Sequence, residues 1–197
     1  MCPPPTSDID TTTQTPLELA GEVCQCPYSE AAPNSGQFNL VLDSSNSFCS
    51  CPSTELTNPN VQSNIIWNSA TRFCECPKGS LASVQGTHLL FSVDDGFCYC
   101  PTAILDDPMT ESLLKYNAVS LNCECPRSST PLSSIQTSLL FNSTTRHCRC
   151  PILSNYHIYQ TYPLYYDTLS TCQCPQPLSY NRATETFLSW NPSTNAC

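Results

Sequence analysis

Apolar residues come along this chain in short bursts at a fixed spacing. Asn39-Leu40-Val41-Leu42, Ile65-Ile66-Trp67, His88-Leu89-Leu90-Phe91, Leu139-Leu140-Phe141 and Phe187-Leu188-Ser189-Trp190 are each followed by a polar bend and then a cysteine. Seven residues before that cysteine stand Leu17, Leu42, Trp67, Phe91, Tyr116, Phe141, Tyr165 and Trp190. The next position is Asp43, Asn68, Asn117, Asn142 or Asn191, with Asp167 one place later in its period. The pattern predicts a β-hairpin whose first strand ends at the bulky residue. Asn or Asp opens the turn, because its side chain bonds its own backbone and tolerates unusual dihedrals. Small residues such as Asn142-Ser143-Thr144-Thr145 make the bend.

The returning strand carries Cys-X-Cys and ends at proline, which offers no N–H to a ladder. The pairs are Cys24/Cys26, Cys49/Cys51, Cys74/Cys76, Cys98/Cys100, Cys123/Cys125, Cys148/Cys150 and Cys172/Cys174, with Cys2 and Cys197 at the ends. A period of 24 or 25 residues over the whole chain marks a tandem array. Its units are 2–24 (degenerate), 26–49, 51–74, 76–98, 100–123, 125–148, 150–172 and 174–197. In the first unit Pro3-Pro4-Pro5 and Thr11-Thr12-Thr13 read as linker, and Leu17-Glu18-Leu19 as a poor strand. The 10 to 12 residues after each Cys-Pro are variable, rich in Pro, Ser, Thr and Asn, and read as loops.

Such a unit is too small to fold without disulfides, metal or neighbours. Sixteen cysteines in a regular even pattern point to cystine and an oxidising compartment. The spacing does not suit zinc, which favours Cys-X2-Cys clusters or added histidine, so no metal and no cofactor is expected. Connectivity is not fixed by sequence. Pairing the first cysteine of each pair with the second of the next leaves Cys2, Cys26, Cys172 and Cys197 open. Closure within units leaves none: Cys2–Cys24, Cys26–Cys49, Cys51–Cys74, Cys76–Cys98, Cys100–Cys123, Cys125–Cys148, Cys150–Cys172 and Cys174–Cys197 are the expected pairs. The fold class follows: a small disulfide-rich β protein, an elongated rod of eight hairpin units with no central core.

Composition supports that picture. Serine and threonine number 26 and 21, proline 18, glycine 5, and charged residues make up 12%. The net charge of −9 disfavours nucleic-acid binding, which needs a basic face. No apolar run approaches a membrane span of about 20 residues. Met1-Cys2-Pro3-Pro4-Pro5 lacks the basic and apolar regions of a signal peptide, so Met1 is expected to be internal or added to a processed fragment. No catalytic motif stands out. Asp94-Asp95 and Asp106-Asp107 lack the spacing of a calcium loop and read as solvated turns. His147 adjoins a cysteine expected to be oxidised. Asn142-Ser143-Thr144 is an N-glycosylation sequon on an exposed turn, and the Ser/Thr clusters suit O-glycosylation. Trp67, Phe91, Tyr116, Phe141, Tyr165 and Trp190 are expected to cover disulfides and pack between repeats, with a sugar-stacking track as the alternative.

Short Cys-X-Cys-Pro units with an aromatic-Asn turn before the closing cysteine resemble the EGF-like-related tandem cysteine-rich repeats of eukaryotic extracellular filament glycoproteins, flagellar-hair proteins among them. The resemblance rests on spacing; true EGF modules carry six cysteines in about 40 residues, and here each unit has two. It implies a secreted, glycosylated structural repeat, extracellular or on the cell surface. The ends are in phase, since Cys197 followed by Met1-Cys2-Pro3 would form another Cys-X-Cys-Pro. The expected role is therefore a building block of an extracellular fibre or appendage, with itself as partner, head to tail. The alternative is a multivalent adhesin or carbohydrate-binding stalk using the aromatic ladder; a protease-inhibitor array and an enzyme rank below both.

Overall fold

The computed structural model describes residues 1–5, 8–81, 85–151, 161–176 and 188–197. Among them are short β-strands and a single 3-10 turn, Asp167–Leu169. The architecture is a disulfide-rich β repeat array. All sixteen cysteines are oxidised. The disulfides are Cys2–Cys24, Cys26–Cys49, Cys51–Cys74, Cys76–Cys98, Cys125–Cys148, Cys150–Cys172 and Cys174–Cys197, and Cys100 and Cys123 are likewise disulfide-bonded. Each closes a loop of 22 or 23 residues, which by chain entropy contributes about 3 kcal/mol.

Repeats 1 to 6 are each built from three pieces: a leading strand or bridge, a ring strand carrying the bulky residue, and a cystine strand carrying Cys-X-Cys. The ring and cystine strands make the expected antiparallel hairpin. The leading strand does not join it. It crosses to the cystine strand of the following repeat.

The chain forms two compact units. The first comprises Met1–Gly79, His88–Cys100 and Ala118–Asn122. In it the leading strand Gln14–Pro16 pairs with Phe48–Ser50, which also pairs with the ring strand Val41–Asp43. Gln62–Ser63 likewise joins Cys98–Tyr99, the partner of Leu90–Phe91. Phe38 bridges Cys74 in the hairpin of Ile66–Asn68 with Phe73–Glu75. The first hairpin, Glu18–Ala20 with Val23–Gln25, has two strands among the described residues.

The second unit comprises Ser80–Thr87, Pro101–Asn117 and Cys123–Cys197. There Gly86–Thr87 pairs with Asn122–Glu124 beside Lys115–Asn117. Glu111–Ser112 pairs with His147–Arg149 beside Leu140–Asn142. Gln136–Thr137 pairs with Thr171–Gln173 beside Leu164–Tyr166. In the last repeat Asn191 bridges Ala196, and the Cys197 amide donates to the Thr161 carbonyl. A cystine strand with neighbours on both sides has its ladder groups satisfied.

This arrangement corrects three readings of the sequence. In the first four cases the apolar bursts are not continuous strands, because each breaks between a leading strand or bridge and a ring strand, whereas Phe187 of the last burst lies outside the described residues. The residue in the break is the buried one: Leu40, Ile65, Leu89, Leu114, Leu139 and Pro163. It stands two places before the bulky residue and recurs in repeats 2 to 7, so the apolar interior is distributed along the repeats; the equivalent Leu17 is half-buried and Leu188 is exposed. The second correction concerns the segments read as loops, which end in a recurrent turn and the leading strand. The third concerns the first repeat. Thr11–Thr13 is a turn rather than linker, and Glu18–Ala20 is a strand. Leu19 lies opposite Cys24, so Leu19 and not Leu17 holds the bulky position. The spacing differs because Gly21 (φ 64°) tightens this turn by two residues.

The other hairpin turns share one backbone device. Asn68 Oδ1 accepts the amides of Ala70 and Thr71 at 3.0 and 3.4 Å. Asn142 Oδ1 accepts those of Thr144 and Thr145 at 3.0 and 3.3 Å. Asp43 does the same, and the Asn46 side-chain bond foremost holds its carboxyl below the usual range. Two residues before the closing cysteine the backbone then turns left-handed, at Ser47, Arg72, Gly96, Leu121, Arg146, Ser170 and Asn195.

Candidate functional site

The segment that distinguishes this array is the leading turn with its strand. An Asx or Ser residue starts the turn and a Gln or Glu three to five residues on closes it. Asp10 Oδ1 accepts the Thr12 amide at 2.9 Å, while Gln14 Oε1 accepts the Asp10 amide at 2.8 Å. Asn58 and Gln62 repeat the pattern, with bonds of 3.1 and 2.7 Å. So do Asp107 and Glu111, at 3.0 and 3.1 Å. Asn34 with Gln37, and Ser133 with Gln136, keep the closing bond. Two reciprocal bonds fix the turn as a capping box fixes a helix start. Asp10 is held below its ordinary range, chiefly by the Thr12 amide.

After the Gln or Glu comes a residue, usually Ser or Thr, that faces the closing cysteine of the next repeat, the first of its Cys-X-Cys pair. The pairs are Thr15 with Cys49, Ser63 with Cys98, Thr87 with Cys123, Ser112 with Cys148 and Thr137 with Cys172. Where the bonds are resolved individually, Phe38 and Cys74 exchange both N–H···O bonds, at 2.9 and 2.8 Å. The second cysteine is tied as well. The amides of Cys51, Cys100, Cys125, Cys150 and Cys174 donate to the carbonyls of Thr13, Val61, Gln85, Thr110 and Ile135 at 2.7–3.1 Å.

The same turn also reaches the repeat after next. Trp67 donates its amide to the Thr12 carbonyl at 2.9 Å, Tyr165 to Met109 at 2.6 Å and Trp190 to Ser134 at 2.8 Å. Phe141 donates to Gln85 Oε1 at 3.1 Å. In repeats 1, 4, 5 and 6 one leading segment therefore holds the cystine strand of repeat n+1 and the ring strand of repeat n+2.

The predicted packing residues Trp67, Phe91, Tyr116, Phe141, Tyr165 and Trp190 are all half-buried. Trp67, Phe91, Phe141 and Tyr165 stand directly across from Cys74, Cys98, Cys148 and Cys172, on the face their cysteines use. Phe91 also meets Phe38, with ring centroids 4.8 Å apart. Burial pushes the Tyr165 phenol up, and its hydroxyl donates to Asp167 at 3.0 Å.

The X position of Cys-X-Cys carries charge in some repeats. Glu75 is buried, accepts from Asn68 Nδ2 at 2.5 Å and Gln37 Nε2 at 3.1 Å, and faces Lys78 at 3.7 Å. Burial alone would raise its carboxyl; these bonds and the ammonium outweigh it and hold it below the usual range. Glu124 repeats the motif with Asn117 and Arg127. His147 is buried with Nε2 3.1 Å from Glu111 Oε1, which places that carboxylate in both the turn and the pair.

Asp107 serves its leading turn, and Asp95 accepts from Ser92 Oγ at 2.7 Å. Among the described residues no group of three or more His, Cys, Asp or Glu side chains could hold a metal, and no helix is long and apolar enough to cross a membrane. A groove of about 250 Å³ lies among Gly36, Gln37, Glu75, Lys78, Leu89 and Phe91. It is shallow and open.

No protein-family model, curated protein or solved structure matches the chain.

The sequence reading missed the leading segment. Its signal is a Gln or Glu followed by Ser or Thr, four residues before the bulky position: Gln14-Thr15, Gln62-Ser63, Glu111-Ser112, Gln136-Thr137, Gln160-Thr161 and Glu185-Thr186.

Proposed function

We propose that this chain is a structural building block of a secreted, extracellular glycoprotein fibre or cell-surface appendage, in which copies continue head to tail. The observation that carries the reading is the strand exchange between successive repeats. Each described leading segment ties the repeat that follows, and those of repeats 1, 4, 5 and 6 also tie the one after, so the fold is defined by continuation rather than by closure about a centre. Arrays of this kind are held by neighbour contacts, and a uniform series has no reason to stop. Oxidised cysteines fit an oxidising compartment. The proposal assigns the chain no catalytic role and no cofactor. It places an N-linked glycan on Asn142, whose Oδ1 is held by the turn while Nδ2 is the atom modified.

Position favours this role for the aromatic residues over a sugar-stacking track: the rings stand opposite cysteines, half-buried, where they shield cystine. The test is electron microscopy of native material. Long filaments with a regular axial repeat are expected. Single copies that stay monodisperse at high concentration would refute the assembly. Glycan binding lost on Trp67→Ala or Trp190→Ala would favour an adhesin instead.

A further inference from the structure

Among the described leading strands, Glu111 is the acidic residue set against the X position of a Cys-X-Cys strand. The equivalent places hold Gln14, Gln37, Gln62, Gly86 and Gln136. The strand that Glu111 meets is exceptional in the same way. Directly across from it stands Arg149, where repeats 2, 3, 4, 5 and 7 have Ser50, Glu75, Tyr99, Glu124 and Gln173. Before the closing cysteine stands His147, where they have Phe48, Phe73, Phe97, Asn122 and Thr171. The acidic leading strand thus enters the repeat that is basic at both places.

The two carboxylate oxygens of Glu111 have separate duties. Oε2 accepts the Asp106 and Asp107 amides of its own turn at 2.8 and 3.1 Å. Oε1 lies 3.1 Å from His147 Nε2 of the next repeat, with the carboxylate side chain 13% and the imidazole 3% exposed. Thr145 Oγ1 is 3.3 Å from the same nitrogen. Stability alone does not call for this contact. His147 Nδ1 is buried with no partner among the described residues, and Phe48 fills the same place in repeat 2 with no polar atom to satisfy. A buried ionic pair is often no more stabilising than apolar side chains of its size. The better-attested use of such pairs is to fix one pairing among similar ones.

We propose that Glu111, His147 and Arg149 form a pairing key, which selects the repeat that the fifth leading strand enters. An array of similar units needs such a device, because its short polar strands could exchange with the wrong neighbour. The key acts within one chain and does not depend on assembly into a fibre. Each near alternative fails. On its own hairpin Glu111 would stand across from Glu124, and like charges directly opposite repel. Contact refuses it there too: Gly86 fills that edge, and a Cβ on it would lie 1.9 Å from the Cys123 carbonyl oxygen. On repeat 7 Glu111 would face Gln173 and Thr171, with no basic group at either place. Gly86 or Gln136, entering repeat 6 in its stead, would leave the buried His147 without its carboxylate. Repeat 3 carries a different key, in which Gln37 Nε2 donates to the buried Glu75 carboxylate at 3.1 Å.

The test uses the 197-residue chain, reduced, unfolded and then refolded with oxidation. Hydrogen exchange, by NMR and by mass spectrometry of peptides, reads the amides of Cys150 and Tyr165, which donate to Thr110 and Met109 of the fifth leading segment. Urea unfolding reads stability. Wild type should refold to one population with both amides protected. Arg149→Glu leaves the leading segment intact but sets a carboxylate across from Glu111, and should speed both amides at least about tenfold. Adding Glu111→Gln recreates the Gln37–Glu75 pair and should restore most of the protection. Glu111→Gln with His147→Phe recreates the Gln14–Phe48 combination. That variant should match wild type in urea, yet refold with a second population in which both amides exchange at least about tenfold faster. Unchanged exchange in Arg149→Glu would overturn the key, and so would no recovery on adding Glu111→Gln. A Gln–Phe variant that refolds to one protected population would overturn it as well, since the pair would then stabilise the contact without choosing it. Should Arg149→Glu fail to refold, the two double variants still decide.

Discussion

The hairpins that close at Cys24 and at Cys148 are made of the same parts and differ by one strand. Each has a ring strand, a turn, a Cys-X-Cys strand and a disulfide reaching 22 or 23 residues back. At Cys148 the strand Glu111–Ser112 lies along the other edge, Cys148 and Cys150 have no exposure, and Leu139 is buried beneath. At Cys24 no described strand lies along that edge, the cystine is only half-buried, and so is Leu17, in the place of Leu139. The difference shows what the leading strand does. The hairpin forms without it. Exclusion of water from the cystine does not.

The comparison is broken most directly at the disulfides. Cys125→Ser with Cys148→Ser should cost about 5 kcal/mol: about 3 from chain entropy and the rest from hydroxyls buried without partners. Cys2→Ser with Cys24→Ser should cost about 3 kcal/mol, because its hydroxyls reach water. Urea unfolding of the two double variants measures both. Equal losses would mean that the leading strand gives the cystine no protection.

Leucine truncation probes the same contrast with less force. Leu139→Ala should destabilise by about 3 kcal/mol, the range for a buried leucine with a cavity left behind. Leu17→Ala should cost about 1 kcal/mol, since its side chain is only partly buried. Thermal melts would show the inner variant falling several degrees further.

Much of this contrast is visible in the residues, and part of it is not. The ring and cystine strands are legible because a turn-opening Asn or Asp, a bulky residue and cysteine recur at fixed offsets. The leading strand is not, because its two residues are polar and its partner lies a repeat away. Pairing across repeats leaves no local alternation to read. Leu40, Ile65 and Leu89 look like ordinary strand positions; only the backbone break between two strands turns them inward. Leu17 was aligned with the bulky position because the count back from cysteine assumes a constant turn, and Gly21 shortens that turn.

Acid sharpens the comparison at the X position of Cys-X-Cys. Glu75 occupies it in repeat 3 and neutral Gln25 in repeat 1. Gln37, Asn68 and Lys78 hold the Glu75 carboxyl below its ordinary value of 4.5. The unfolded chain then binds this proton more readily than the folded one. The stability Glu75 contributes is complete above its unfolded value and is lost as pH falls through its lower folded value. Glu75→Gln should flatten that part of the stability profile below pH 4.5, read by urea midpoints across the acid range. Gln25→Leu should leave the profile unchanged. An unaltered profile in Glu75→Gln would show that its hydrogen bonds form in the unfolded chain too.

The turns carry the smallest difference. In the first hairpin the left-handed residue is glycine, Gly21, at φ 64° with open space where a Cβ would go. In the Cys148 hairpin it is Arg146 at φ 58°, exposed, with its amide 2.8 Å from the Asn142 carbonyl. Gly21→Ala adds no clash, so its cost is the backbone strain alone, about 1 kcal/mol. Arg146→Gly relieves strain of the same size, but the added freedom of the unfolded chain returns about 0.5–1 kcal/mol of it. The net should lie within about 0.5 kcal/mol of zero. Melting temperatures of the two variants should therefore be asymmetric, lowered for Gly21→Ala and nearly unmoved for Arg146→Gly. A gain above about 1 kcal/mol in Arg146→Gly would show that the left-handed turn is strained beyond its dihedral, with the leading strand imposing it.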